Sequence, residues 1–206
     1  MMKVVSIGSH PDDVEIGMGG TLAIHHDRKN NVHIIMCTLG GVSGDPKERE
    51  EEAREGARLL GATLHILDYP VSKLNKPGLE FLKVIRKVID DIDPDRIYTH
   101  SPFDYHQVHV GVSESVVRAA KDMKQILFYE TISSTTPEFK PNAYVDITNH
   151  MELKIKSIGL HRTQSDRFYI QPNVLRSLAN TRYVWGKVGA DYNGFAEAFR
   201  IHKFIL

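Results

Sequence analysis

A histidine and two adjacent carboxylates, His10, Asp12 and Asp13, stand between a short apolar run, Lys3 to Gly8, and a glycine-spaced segment, Gly17-Met18-Gly19-Gly20. Side chains at a tight turn point in different directions, so Asp12 and Asp13 cannot easily both ligate one ion. One can bind a metal while the other faces the water that the metal activates. Zinc accepts histidine nitrogen and carboxylate oxygen, and a hydrolytic site keeps one position for water, whose pKa falls to about 7 on the metal. A third protein ligand is then expected from elsewhere in the chain. The same residues also fit a plain turn, in which Asp-Asp caps the following helix and His10 is a turn residue.

A second set lies far along the chain, where Ser101-Pro102-Phe103-Asp104-Tyr105 leads into His106-Gln107-Val108-His109. Histidines three apart share one helix face. A helix starting near His106 would turn both imidazoles into one pocket, one to bind metal and one to contact substrate. Polar histidines on a first helical turn are the alternative.

The elements that must position these residues are legible too. Strand-like runs at Lys3–Gly8, Val32–Leu39, Leu64–Leu67, Arg96–Thr99 and Ile126–Tyr129 alternate with helical stretches. That alternation predicts an α/β fold: a Rossmann-like, doubly wound, mostly parallel sheet with helices on both faces. In the common strand order 3-2-1-4-5, the first and fourth strands meet at the topological switch point, and ligands bind beyond their carboxyl ends. His10 to Asp13 leave the first strand and His106 to His109 follow the fourth. Both motifs therefore converge where this architecture makes a pocket.

The string His10-Pro11-Asp12-Asp13-Val14-Glu15-Ile16-Gly17-Met18-Gly19-Gly20-Thr21-Leu22-Ala23 closely resembles the opening of the LmbE-like, or PIG-L, metal-dependent N-deacetylases. Arg49 with Glu52-Ala53, Leu60-Gly61, Tyr98-Thr99-His100, Asp104 to His109 and His161-Arg162-Thr163-Gln164 resemble later pieces of that family in order and spacing. The resemblance implies zinc held by His10, Asp13 and His109, with Asp12 as general base, His106 beside the developing oxyanion and Arg49 contacting substrate. Iron(II) would tolerate the same two-histidine, one-carboxylate set. It further implies hydrolysis of the amide of an N-acetylated amino sugar, of the N-acetylglucosamine type, or of its conjugate, by a homo-oligomer. One departure stands out. Many family members carry an aspartate where this chain has Val108, and a nearby carboxylate would favour a protonated imidazole at His106. Asp104 is the nearest replacement in sequence.

Other readings use the same parts. A metallohydrolase of a different small-molecule amide or ester would need the same metal, base and oxyanion groups. A non-catalytic sugar- or nucleotide-binding domain with a structural metal would need four protein ligands, and the sequence offers three well-placed ones.

Length and composition agree with one domain spanning residues 1–206, with 41% hydrophobic residues, expected to bury roughly 70% of its unfolded surface. The 26 basic and 26 acidic residues cancel, and no basic stripe interleaves with aromatics, which argues against nucleic acid as a partner. No apolar run approaches the roughly 20 residues of a membrane span. The N-terminus enters a strand at once without the charged and apolar regions of a signal peptide, so a cytoplasmic enzyme is expected.

Remaining features read as structure. The single Cys37 lies in an apolar strand as a buried hydrophobe. Asp45-Pro46-Lys47-Glu48 reads as a helix start, and the charged run that follows as a solvated face, of which Arg49 could be a part, with Ala53, Ala57 and Leu60 inward. Phe81, Ile85, Val88, Ile89 and Ile92 recur at helical spacing as core. The histidine and acids occupy the turn where a dinucleotide's phosphates need glycines, so NAD is not expected, and Gly17, Gly19 and Gly20 instead let the first helix pack closely on the sheet. Beyond residue 130, a strand at Tyr144–Ile147, helices at Met151–His161 and Pro172–Trp185, and a short strand at the end of Ala196–Ile205 are expected.

Overall fold

The structure is a computed structural model that describes residues 1–40 and 44–205. Its strands are β1 (Lys3–Gly8), β2 (Asn31–Met36), β3 (Thr63–Ile66), β4 (Arg96–His100), β5 (Gln125–Tyr129), β6 (Ala143–Asp146) and β7 (Ala196–Phe204). They form one sheet in the order β3-β2-β1-β4-β5-β7-β6, parallel from β3 to β5. β7 runs antiparallel to both of its neighbours. The expected order is therefore present, with β1 beside β4 at the switch point.

The helices are α1 (Asp13–Asp27), α2 (Pro46–Leu59), α3 (Leu79–Ile92), α4 (Gln107–Ala119), α5 (Met151–Ile158) and α6 (Pro172–Trp185). Strand residues alternate between two faces, and each face finds its own cover. Val5, Ile7, Ile35 and Ile97 meet Phe81, Ile85 and Ile89 of α3 and Val112 and Val116 of α4. Val4, Val32, Ile34 and Leu127 meet Val14, Met18 and Leu22 of α1 and Ala57 of α2. A third cluster joins Ile16 to Ile147, Met151, Ile158, Leu175 and Ala179.

α2 starts as its sequence predicts, with Asp45 Oδ1 accepting from the amides of Lys47 at 2.9 Å and Glu48 at 3.2 Å. α1 is irregular, broken at Met18 with φ −154° and ψ 25°. Its glycines pack closely, but not all on the sheet. A Cβ at Gly17 would overlap the Tyr129 ring of β5, whereas Gly20 faces Ile147 and Gly19 faces Lys154 of α5. The irregular stretch is held by a buried ion pair. Lys154 Nζ donates to Glu197 Oε1 and to the Ile16 carbonyl, both at 2.6 Å, and Glu197 accepts the amides of Gly20 at 2.9 Å and Thr21 at 2.7 Å.

Several elements differ from expectation; the helix expected over Met151–His161 ends at Ile158, where the chain turns away through Gly159. β2 ends at Met36, because Cys37 and Thr38 instead bond back to Gly8 and Ser9, both at 3.0 Å. β7 is a nine-residue strand inside the sheet, since its backbone finds partners on both sides.

Candidate active site

β1 stops at Gly8, and the chain turns through Ser9, His10, Pro11 and Asp12 before α1 begins at Asp13. Asp12 sits at φ 95°, ψ −30°, in a region that costs a residue with a side chain roughly 1–3 kcal/mol. The turn is braced from α2: Arg49 Nη2 donates to the Pro11 carbonyl at 3.0 Å. Arg49 is buried, its guanidinium lying where a Cβ at Gly40 (φ 88°) would stand. It is thus not part of a solvated face. Its Nε has no hydrogen-bond partner, and the side chain reaches the same cavity as Asp12.

The two carboxylates have different surroundings. Asp13 is enclosed by imidazoles: His10 Nδ1 lies 3.2 Å from Oδ2, His100 Nε2 3.2 Å from Oδ2, and His109 Nε2 3.4 Å from Oδ1. Oδ2 also accepts the His10 amide at 2.7 Å. Asp12 is buried, its backbone carbonyl accepting from the Ile16 amide at 2.9 Å, and its carboxylate makes no hydrogen bond with a described residue. Burial, and then the charge of Asp13, push its carboxyl up to about 7, against the pull of His161, Arg49 and His10. Burial opposes the charge of Asp13 as well, but His109, His100 and His10 hold it well below the usual carboxylate range.

His109 comes from the first turn of α4. Its Nδ1 lies 3.2 Å from Asp104 Oδ2 and 3.3 Å from Ser134 Oγ, leaving Nε2 toward Asp13. Burial disfavours charge on this ring, but Asp13 and Asp104 outweigh it and push it up to about 10. His106 is the N-cap of α4, and its Nδ1 accepts the Val108 amide at 3.3 Å. Its proton therefore sits on Nε2. Asp104 reaches the His106 backbone amide, at 2.7 Å, and the His109 ring, but not the His106 ring. Burial first, then His109 and His10, push His106 down to about 4, so the imidazole is neutral.

The donor geometry fits a metal. Two donors each about 2.0–2.2 Å from zinc at a tetrahedral angle lie roughly 3.4 Å apart, close to the 3.2 Å and 3.4 Å separating His10 Nδ1 and His109 Nε2 from the Asp13 oxygens. Two trios have ligand atoms within 4.8 Å of one another, His10, His106 and His109, and Asp13, His100 and His109; the expected set of His10, Asp13 and His109 draws members from both and is itself neither. His100 is the weaker ligand, because its Nε2 already accepts the Ser9 amide at 3.0 Å. A carboxylate on the remote nitrogen of His109 is the usual support for a metal-bound imidazole.

A cavity of about 210 Å³ opens on these groups, lined by His10, Asp12, Asp13, Arg49, His106 and His109, with Ser133, Gln164, Arg167 and Tyr169 completing its wall. The sequence reading thus assembled its six candidates at one place, and it missed His100, Ser133, Arg167 and Tyr169. No spacing signal marks the last three, since they arrive from distant parts of the chain, Ser133 and Arg167 outside the regular elements and Tyr169 in a 3-10 turn. His161 stands behind the cavity, buried, with Nε2 3.3 Å from Glu15 Oε1 but without a well-formed hydrogen bond. Glu52 of α2 fixes the next turn by accepting from Thr163 N at 2.9 Å and Thr163 Oγ1 at 2.7 Å.

Comparison with known proteins gives this arrangement a context. Diacetylchitobiose deacetylase of Thermococcus kodakarensis is 28% identical, over 96% of this chain and 82% of that protein. The structure of N,N′-diacetylchitobiose deacetylase from Pyrococcus horikoshii, complexed with its inhibitor, superposes with a TM-score of 0.75 at 27% identity, covering 97% of this chain and 83% of that one. The fold is also shared with a 4-carboxy-2-hydroxymuconate hydratase from Pseudomonas putida, with a TM-score of 0.86 at 18% identity over 100% and 98% of the two chains. The family profile described as PIG-L, GlcNAc-PI de-N-acetylase, matches residues 5–120, more than half of the 206. The chain belongs to the PIG-L family of deacetylases.

Proposed function

We propose that this protein is a metal-dependent hydrolase that removes the acetyl group from an N-acetylated amino sugar or its conjugate, with His10, Asp13 and His109 as the metal ligands. One observation carries the reading. Of two adjacent buried aspartates on one cavity, Asp13 is wrapped in imidazoles while the Asp12 carboxylate has no hydrogen-bond partner among the described residues. The nitrogen and oxygen donors favour zinc, and iron(II) would be accepted by the same set. Bound there, the metal supplies Lewis-acid activation of water and of the acyl carbonyl.

The chain's own residues do the rest. Asp12 accepts the proton of the attacking water and passes it to the departing amine nitrogen. His106, neutral with its proton on Nε2, donates a hydrogen bond to the oxygen on which charge develops. It acts as a donor rather than as an imidazolium, which accounts for the tolerated Val108. Arg49 holds the turn that carries Asp12 and faces substrate across the cavity. The sugar preference rests on the deacetylase relatives.

The test pairs metal analysis of anaerobically purified protein with acetate release from N-acetylglucosamine conjugates and from non-sugar amides. Stoichiometric metal with faster release from the sugars is expected. Release confined to non-sugar amides would move the assignment to another amide class. No release from any substrate, with a metal held by four protein ligands, would support a binding domain.

A further inference from the structure

A second cavity, of about 480 Å³, lies between α4 and β7, within the roughly 300–1,000 Å³ usual for small-molecule sites. It shares no lining residue with the cavity around Asp12. Its apolar walls are Phe128 of β5, Val117 of α4 and Phe103, which immediately precedes the Asp104 that supports His109. The pairing of β7 with β5 slips between Ile126 and Leu127, leaving His202 as an extra residue. A bulge of this kind re-aims side chains. Arg200, Ile201 and His202 all reach the cavity in succession, where a regular strand would send neighbours to opposite faces.

Two guanidiniums and one carboxylate face this space. Arg118 has Glu114 at 3.6 Å, so its charge is answered within the wall. Arg200 pairs with no carboxylate among the described residues: its guanidinium carbon lies 4.4 Å from the centre of the Phe103 ring, and Nη1 donates to the Glu138 carbonyl at 3.3 Å. Stacking and that one bond fix the plane of the group, and its other N–H donors stay uncommitted among the described residues. A guanidinium held this way matches two oxygens of a carboxylate or phosphate, and the Phe103 and Phe128 rings suit a flat apolar body. We infer that the cavity takes a small molecule with a flat apolar body and one carboxylate or phosphate, held by Arg200. This site is independent of the deacetylase reading above.

The test is calorimetric binding of naphthoate, naphthyl phosphate, naphthol and inorganic phosphate to the zinc-loaded full chain, repeated on metal-stripped protein. At least one of the two aromatic anions should bind with Kd below about 1 mM, and the tighter of them names the anionic group. Naphthol and inorganic phosphate should each bind at least about tenfold more weakly, the scale of one charge-assisted hydrogen bond. Arg200→Gln should weaken the tighter anion by at least about tenfold on the same grounds. Glu114→Gln, at an exposed site, removes the opposing carboxylate and should tighten that anion about twofold. Neither anion bound below about 1 mM, naphthol bound equally well, Arg200→Gln without effect, or Glu114→Gln without tightening would each overturn the site. Binding that appears only with zinc would put the anion on the metal, which also overturns it. If wild type binds neither anion and Arg200→Gln alters the association state in light scattering, the cavity belongs to a second copy of the chain, and the small-molecule site is again overturned.

Discussion

Asp12 and Asp13 show how far environment separates two identical side chains. Asp13 is held ionised by three imidazoles, whereas Asp12 is strained and buried, its carboxylate without a partner among the described residues. Asp12→Asn should therefore lower acetate release by at least about 10²-fold while metal content stays at wild-type level, because only the proton carrier is lost. Wild-type turnover with full metal would remove Asp12 from the chemistry. Asp104 makes a different demand. Asp104→Asn keeps the shape beside His109 but loses the charge, and should weaken metal affinity roughly 10–100-fold in a chelator competition. At this scale the sequence was informative where residues cluster: His10 to Asp13 and His106 to His109 were legible because each group spans one turn. Arg167 and Tyr169 were not, because loops deliver them and no periodicity links them to the histidines. The burial of Arg49 was also hidden, since it depends on Gly40 leaving room for a guanidinium.

Among the elements, the first helix carries the largest surprise. Its start at Asp13 was readable from the strand before it, but its break at Met18 was not, because that break is held by Glu197 and Lys154 from far along the chain. The glycine spacing was a local signal of close packing, and Gly17 is where it is strictest. The Tyr129 ring that fills the space is fixed by its hydroxyl, which donates to the Ile7 carbonyl at 2.9 Å. Gly17→Ala should then destabilise the protein by about 1–3 kcal/mol, read as a lower urea midpoint. An unchanged midpoint would show that the ring can move aside. α2 was legible in its Asp45 cap and its inward alanines, because pattern and capping are both local, but not in the burial of Arg49 and Glu52.

For the molecule as a whole, the parallel half of the sheet was legible from strand spacing, and the antiparallel addition was not. No sequence rule places β7 between β5 and β6. Global stability carries a pH signature that the catalytic groups do not set. His25 is buried between Tyr98 Oη, 3.2 Å from its Nε2, and Asn30. Burial, with Arg96 and Arg28 nearby, pushes it from 6.5 down to about 4. The folded state therefore binds fewer protons than the unfolded one between those values. The contribution is complete above 6.5 and fades as pH falls toward 4, about 3 kcal/mol in all. Urea titrations of wild type and His25→Gln at pH 7.5, 6 and 5 isolate the effect, since the metal site is common to both. The stability difference should shrink as the medium acidifies, and a constant difference would refute it.

The position of β7 also constrains the order of assembly. It follows every other strand in sequence yet joins β5 to β6, and it brings the glutamate that secures the first helix. During synthesis, β5 must wait with an unsatisfied edge until residues 196–204 have been made. Loss of Glu197 from the start of β7 would release the Gly20 and Thr21 amides and the Lys154 ammonium around the first helix.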